Sequence, residues 1–260
     1  DLARIYLQVV RLWRDAANTI MRGYAPSPDF IRDTVEEVEG AIATAEARAN
    51  ALILSLSLEL DNWTRRFSSW HRKKFAQNVK TGTGVSVIEF MSNSAIQNEM
   101  KISLAWNIDL ISNVSADMKR RIADIIWSGW RANEPRREIA KRINEAVGIE
   151  RRRALRISVD QTTKLSADLD RARMLEMGIT DWVWVHSRKA HPPLDHVARN
   201  GKEYNWITNR PPDVPGQLPY CFTGSQPVGV ADNILMVWRR PYSGDLTEII
   251  EGLSDSDTVA

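Results

Sequence analysis

Proline most limits what this chain can fold into, and it is unevenly distributed. Eight of the eleven prolines lie beyond His186, together with His191, His196 and the only cysteine, Cys221. Upstream, only Pro26, Pro28 and Pro135 interrupt 185 residues. A proline removes a helical hydrogen bond and clashes with the preceding turn, so so sparse a pattern leaves room for long helices. The proline-rich remainder calls for turns and short strands.

Apolar spacing agrees. Leu2, Ile5, Val9, Leu12, Ala16 and Ile20 recur at three and four, which predicts a first amphipathic helix ended by Gly23 and the two prolines. Asp29 offers a cap for a second helix, in which Ile31, Val35, Val38, Ile42, Ala45, Ala49, Leu52 and Leu56 make a heptad-like seam. That seam fits a bundle helix, with an intermolecular coiled coil as the alternative. Thr81 to Gly84 reads as a loop. Beyond it, Ile102, Trp106, Ile108 and Leu110 form a stripe, and Ser115 and Asp117 are expected to open a helix carrying Met118, Ile122, Ile125, Ile126 and Trp130. Ile139, Ile143 and Val147 follow Pro135 and are expected to stop at Gly148, before a charged helix from Arg151 to Met177 that Gly178 ends. Trp182 to His186, Leu235 to Trp238 and Asp245 to Ile250 have strand character, so the sheet should be small and antiparallel. The expected fold is therefore α+β, mostly α: long amino-terminal helices, then a small antiparallel β module packed on a long helix.

Composition bounds the function. With 43% hydrophobic and 26% charged residues the chain is an ordinary globular one, large enough for one sizeable domain or two small ones. A net charge of +2 argues for no particular partner, so any nucleic-acid reading must rest on local clusters. One cysteine excludes an internal disulfide framework and fits a reducing compartment of synthesis. The longest apolar run, Ala51 to Leu60, is broken by Ser55, Ser57 and Glu59 and is too short to span a bilayer. Asp1 begins directly in an amphipathic pattern, as a fragment of a longer chain would.

One local cluster stands out. Trp63, Arg65, Arg66, Phe67, Trp70, Arg72, Lys73 and Lys74 lead to Phe75, and Trp63, Phe67, Trp70 and Lys74 share a helical face. Such a face suits a phosphate backbone or an acidic protein groove; equally, its aromatics serve as core and its cations as a solvated rim.

Catalytic patterns are incomplete. His186, His191 and His196 are five apart, a spacing that suits one face of neither helix nor strand, and His191 with Cys221 supplies only two metal ligands. There is no phosphate-binding loop, dinucleotide fingerprint or metalloprotease histidine pair. Asp160 and Gln161, in the middle of a helix, are better read as buried polar groups meeting Arg188 or His191 in a polar clasp between helix and loop.

The order of these elements resembles the phage Mu F-like minor head (head morphogenesis) proteins. The resemblance rests on Arg153-Ala154 and Asp160-Gln161-Thr162 in one helix, the terminating Gly178, the strand Trp182-Val183-Trp184, Arg188 with His191, Gly201-Lys202, Pro215-Gly216 and Cys221. It covers about 115 of the 260 residues. His186 stands where the family has a further arginine, and Phe222-Thr223 replaces the arginine and second cysteine that follow the first. A weaker resemblance links Cys221-Phe222-Thr223-Gly224-Ser225 and Trp238 to Leu246 to the start of a Hint, or intein-type, self-processing domain. Its downstream histidine is missing, since none follows His196.

The first resemblance implies a structural minor capsid protein of a tailed phage or prophage, made in the bacterial cytoplasm and placed inside the head near the portal vertex. It implies a role in head assembly, DNA packaging or ejection, without turnover chemistry, cofactor or metal. Partners would be the portal protein, other copies of the chain, packaged DNA and the major capsid protein, with no membrane. Residues 1–100 would form a helical arm, 101–221 the head-morphogenesis domain and 222–260 a carboxy-terminal extension. Asp160, Gln161, Arg188, His191 and Cys221 would be structural. The alternatives are a self-processing cysteine protein or a metal-dependent enzyme using His186, His191 and Cys221, and a nucleic-acid-binding module on Trp63 to Phe75.

Overall fold

In the computed structural model the chain is described at residues 1–23, 33–84, 86–89, 91, 92, 94, 96–132, 134–186, 194–219, 221 and 223–228. Helices α1 (Leu2–Gly23), α2 (Asp33–Thr83), α3 (Gln97–Arg131) and α4 (Arg136–Glu176) precede β1 (Asp181–Val185), α5 (Leu194–Arg199), β2 (Glu203–Asn205) and β3 (Gly224–Pro227). The fold is mostly helical α+β, with a small antiparallel sheet packed against α4.

The four long helices form a bundle around α1, which touches each of the other three. That position explains why α1 buries Leu2, Ile5, Tyr6, Leu7, Val9, Val10 and Trp13, more than one stripe. The heptad-like seam of α2 turns inward: Val38, Ile42, Ala45, Ala49 and Leu56 lie in this core, so the seam is satisfied within the chain. Asp29 and Ile31 lie outside the described residues.

Three expectations within α3 and α4 are corrected. Ser115 and Asp117 do not open a helix; they lie inside the continuous α3, where Ser115 accepts a hydrogen bond from Trp13 Nε1 (2.9 Å) and Asp117 pairs with Arg153. Gly148 does not stop a helix either, because α4 runs through it without a left-handed residue. Of the expected apolar stripe, Ile102 and Trp106 are exposed, while Ile108 and Leu110 pack half-buried against the core. The core face of α3 instead carries Asn107, Ile111, Val114, Ser115 and Met118, the two polar residues being drawn inward by Tyr6 and Trp13 of α1.

α2 continues through the expected loop to Thr83, and Gly84 ends it at φ 73°, its N–H bonded to Lys80 O at 2.8 Å. α4 ends as expected at Gly178, φ 72°. Ile179 N–H bonds Met174 O at 2.8 Å and Gly178 N–H bonds Leu175 O at 3.0 Å, a double closure that only a residue tolerant of positive φ permits. This turn launches β1, the middle strand in the order β2-β1-β3. Trp182 pairs with Tyr204 and Pro227, Val183 with Glu203 and Gln226. Alternation sends Trp182 and Trp184 to one face, where they join Trp206, Phe75, Val79, Met91, Met174, Ile179 and Val214 in a second core. The strands expected at Leu235 to Trp238 and Asp245 to Ile250 lie outside the described residues.

Candidate functional site

The second core carries a polar cluster on its edge. α5 places His196 against Trp184, ring centroids 4.9 Å apart and edge to face. Its Nε2 lies 2.6 Å from Asp213 Oδ2, and its Nδ1 lies 3.6 Å from Cys221 Sγ. A carboxylate only accepts, so the proton belongs on Nε2 and the Nδ1 lone pair faces the thiol. Thr223 Oγ1 is 2.8 Å from the same sulfur. Arg199, one turn along from Asp195, donates to Asp213 Oδ1 at 2.7 Å and to Asp195 Oδ2 at 2.9 Å, while its guanidinium carbon stands 5.0 Å from the Trp184 ring centroid. Burial works to raise the Asp213 carboxyl, but hydrogen bonds from Arg199 and His196 outweigh it and hold the group below the usual carboxylate range.

This is the arrangement of a nucleophile, a base and a group that orients the base. Cys221 and His196 are both buried. Asp195, His196 and Asp213 also bring possible metal-ligand atoms within 4.8 Å of one another. Arg199 already supplies a positive charge to both carboxylates, so a metal would have to displace it. A thiol with a base, held in a packed shell, describes this cluster better than a cation site does.

Sequence reasoning missed His196, Arg199 and Asp213. In sequence His196 shows only a spacing of five from the other histidines, and Asp213 sits in the Pro-Pro-Asp turn with nothing local to mark it. Of the residues proposed for the clasp, Arg188 and His191 lie outside the described residues. Cys221 turns to His196 and Thr223. Asp160 and Gln161 are buried on α4; Lys164 Nζ lies 2.9 Å from Asp160 Oδ2, and Gln161 Nε2 donates to the same oxygen at 3.2 Å. Burial pushes the Tyr6 hydroxyl up and the charge on Asp160 adds to it, so Asp160 faces the helical core around α1. His186 follows β1, and its N–H donates to Asn200 Oδ1 at 2.9 Å.

A second buried histidine joins α2 to α4. His71 Nε2 is 2.8 Å from Asp170 Oδ1, and Arg173 Nε donates to His71 Nδ1 at 3.3 Å while its Nη2 donates to Ser68 O at 3.1 Å. Here burial raises the Asp170 carboxyl against the pull of His71 and Arg173, and lowers the Arg173 guanidinium to about 10.

The basic-aromatic stretch divides across α2. Trp63 is buried, Phe67 is half-buried and Trp70 is 37% exposed, in a chain of contacts with centroid spacings of 5.5 Å at each step. Phe75 belongs to the second core. Arg65 pairs with Asp61 at 2.7 Å, and Arg72 donates to Ile88 O at 2.6 Å. Arg66, Lys73 and Lys74 are exposed.

The signature glycines have structural tasks. Gly201, at φ 78°, donates its N–H to Trp184 O at 2.9 Å and lets Lys202 O accept from Trp184 N–H at 3.0 Å. Gly216, at φ 79°, lies so close to α4 that an added Cβ would stand 2.7 Å from Ala167 Cβ.

No family model matches the chain, and no solved structure matches it. It is similar to an uncharacterized protein of Haemophilus influenzae, 23% identical over 154 residues. That match covers 59% of this chain and spans about a third (34%) of the relative's length.

Proposed function

We propose that the chain is a structural minor head protein of a tailed phage or prophage, of the Mu F-like kind, held at the portal vertex and acting in head assembly, DNA packaging or ejection. The observation that supports this most is that five features carrying the resemblance have fold-holding tasks in and around the module. Gly178 closes α4, Trp182 and Trp184 fill the second core, Gly201 completes the ladder, Gly216 rests on Ala167 and Cys221 packs under His196. Such a module serves as a rigid knob on a helical bundle and needs no substrate. The test is whether the chain co-purifies with a ring-shaped portal from assembled particles. Particles with normal portal but none of this chain would end the proposal.

A self-processing cysteine is the second reading, favoured by one observation: His196 and Asp213, upstream in sequence, provide the base that the segment after Cys221 lacks. In such a step Sγ attacks the carbonyl carbon of the peptide bond before Cys221, forming C–S as C–N breaks. The thiol proton passes through His196 Nδ1 to the released amine. Hydroxylamine treatment of purified protein, followed by intact mass, decides it: scission before Cys221 that His196→Ala abolishes supports it, and an uncut chain excludes it.

A further inference from the structure

The 27 residues from Asn62 to Ile88 contain six cations and no acid, in a chain whose net charge is +2; the remainder is therefore net negative, at −4. Only the structure shows how these cations are presented. Trp63 and Phe67 turn inward, Arg65 is paired with Asp61 and Arg72 is tied to Ile88. That leaves Arg66, Trp70, Lys73, Gln77 and Lys80, all exposed, at successive spacings of four, three, four and three. At 100° per residue they lie within about 80° of arc, and at 1.5 Å per residue they run about 21 Å along the helix. Lys74, also exposed, flanks Trp70. Arg4 of α1 adds a cation beside Arg66, and Glu59, which lines the same depression, accepts a hydrogen bond from Gln8 at 3.0 Å.

A face that alternates cation, aromatic ring, cation, amide and cation is built for a polyanion with flat groups on it. We infer that this face of α2 binds the phosphodiester backbone of a nucleic acid, with Arg66, Lys73, Lys74 and Lys80 on phosphates and the exposed edge of Trp70 against a base or sugar. A stripe of about 21 Å matches about six phosphates of one strand at 3.4 Å each. Trp70 is held from behind by Phe67, which fixes the ring at little entropic cost. The inference rests on this face and not on the head-protein reading, since a chain that never meets a portal would carry the same stripe.

The experiment is fluorescence anisotropy of labelled single-stranded and duplex DNA of equal length, titrated with the purified chain between 50 and 200 mM salt. Four phosphate contacts predict a loss on the order of a hundredfold in affinity across that range. Changing Arg66, Lys73, Lys74 and Lys80 together to alanine should flatten the salt dependence and remove most binding, while Lys101→Ala with Lys141→Ala, exposed cations on α3 and α4, should not. Trp70→Ala should weaken the single strand more than the duplex if a base stacks there; equal weakening assigns Trp70 to the sugar–phosphate edge of either form. Circular dichroism confirms that the variants fold. Absence of binding at 50 mM salt, binding that survives the fourfold substitution, or equal displacement by poly-glutamate would overturn the inference.

Discussion

Among the described residues two histidines are buried, each with Nε2 beside an aspartate, and the difference between them distinguishes the two halves of the molecule. In the bundle, the Nδ1 of His71 receives the Nε–H of Arg173 and its Nε2 lies 2.8 Å from Asp170 Oδ1. In the module, the Nδ1 of His196 faces a thiol. The carboxylates differ in sense as well: burial raises Asp170, whereas Arg199 and His196 hold Asp213 down. The tryptophans repeat the contrast. Trp13 in the bundle gives its N–H to Ser115, but the indole N–H groups of Trp182, Trp184 and Trp206 are buried with no partner among the described residues. Trp13 is tied across helices, whereas Trp182 stacks on Trp206 and packs against Trp184.

The largest effect should come from the ring stack. Trp184→Ala removes a wholly buried side chain and should cost about 3–5 kcal/mol, read by urea unfolding. If near-ultraviolet signal from the module vanishes while helical signal persists, the halves unfold separately; a single transition makes them one cooperative unit. Trp13→Phe should then cost more than Trp182→Phe, because only the first leaves a buried partner, Ser115, unmet at about 1–3 kcal/mol. Equal costs would erase the contrast in polar pairing.

The glycines give an intermediate effect of opposite sign in the two halves. Gly216→Ala forces a clash with Ala167 at a positive φ and should destabilise by about 1–3 kcal/mol. Gly148→Ala, inside α4 with its nearest neighbour the flexible Arg152 at 3.7 Å, should stabilise by about 0.5–1 kcal/mol. Thermal melts of both variants check this directly.

The smallest effect is in pH. Asp213 is depressed in the folded chain, so its contribution is present above the unfolded carboxylate value and is lost as pH falls through the folded one. Asp170 is raised, so its contribution is present below the unfolded value and is lost as pH rises through the folded one. Acid below the ordinary carboxylate range should therefore weaken the module, whereas the bundle node is already relieved as pH falls through the raised Asp170 value. Asp213→Asn should abolish the acid sensitivity of the module's near-ultraviolet signal, and Asp170→Asn should leave that sensitivity in place.

Much of the fold was legible because its causes are local. Apolar spacing over three and four residues marks α1 and α2, and Gly178 marks the end of α4 since few other residues hold that φ. The alternation Trp182-Val183-Trp184 marks β1. Asn107 and Ser115 were illegible because a serine reads as a helix opener and an asparagine on a helix as exposed until the partners, Trp13 and Tyr6, are known. β2 and β3 were missed because Glu203–Asn205 and Gly224–Pro227 have little strand propensity of their own; they are strands because β1 supplies the ladder.

The same division holds for function. By itself the sequence determined that long helices precede a turn-rich tryptophan module, and that the region from Trp63 to Phe75 is basic and aromatic. Only the tertiary structure decided that Cys221 meets His196, which Asp213 holds by its other nitrogen, and which cations of α2 face outward. The reason is distance along the chain: periodicity is written within a few residues, whereas Cys221 and His196 are 25 residues apart and Arg173 and His71 are 102 apart, and nothing local relates them.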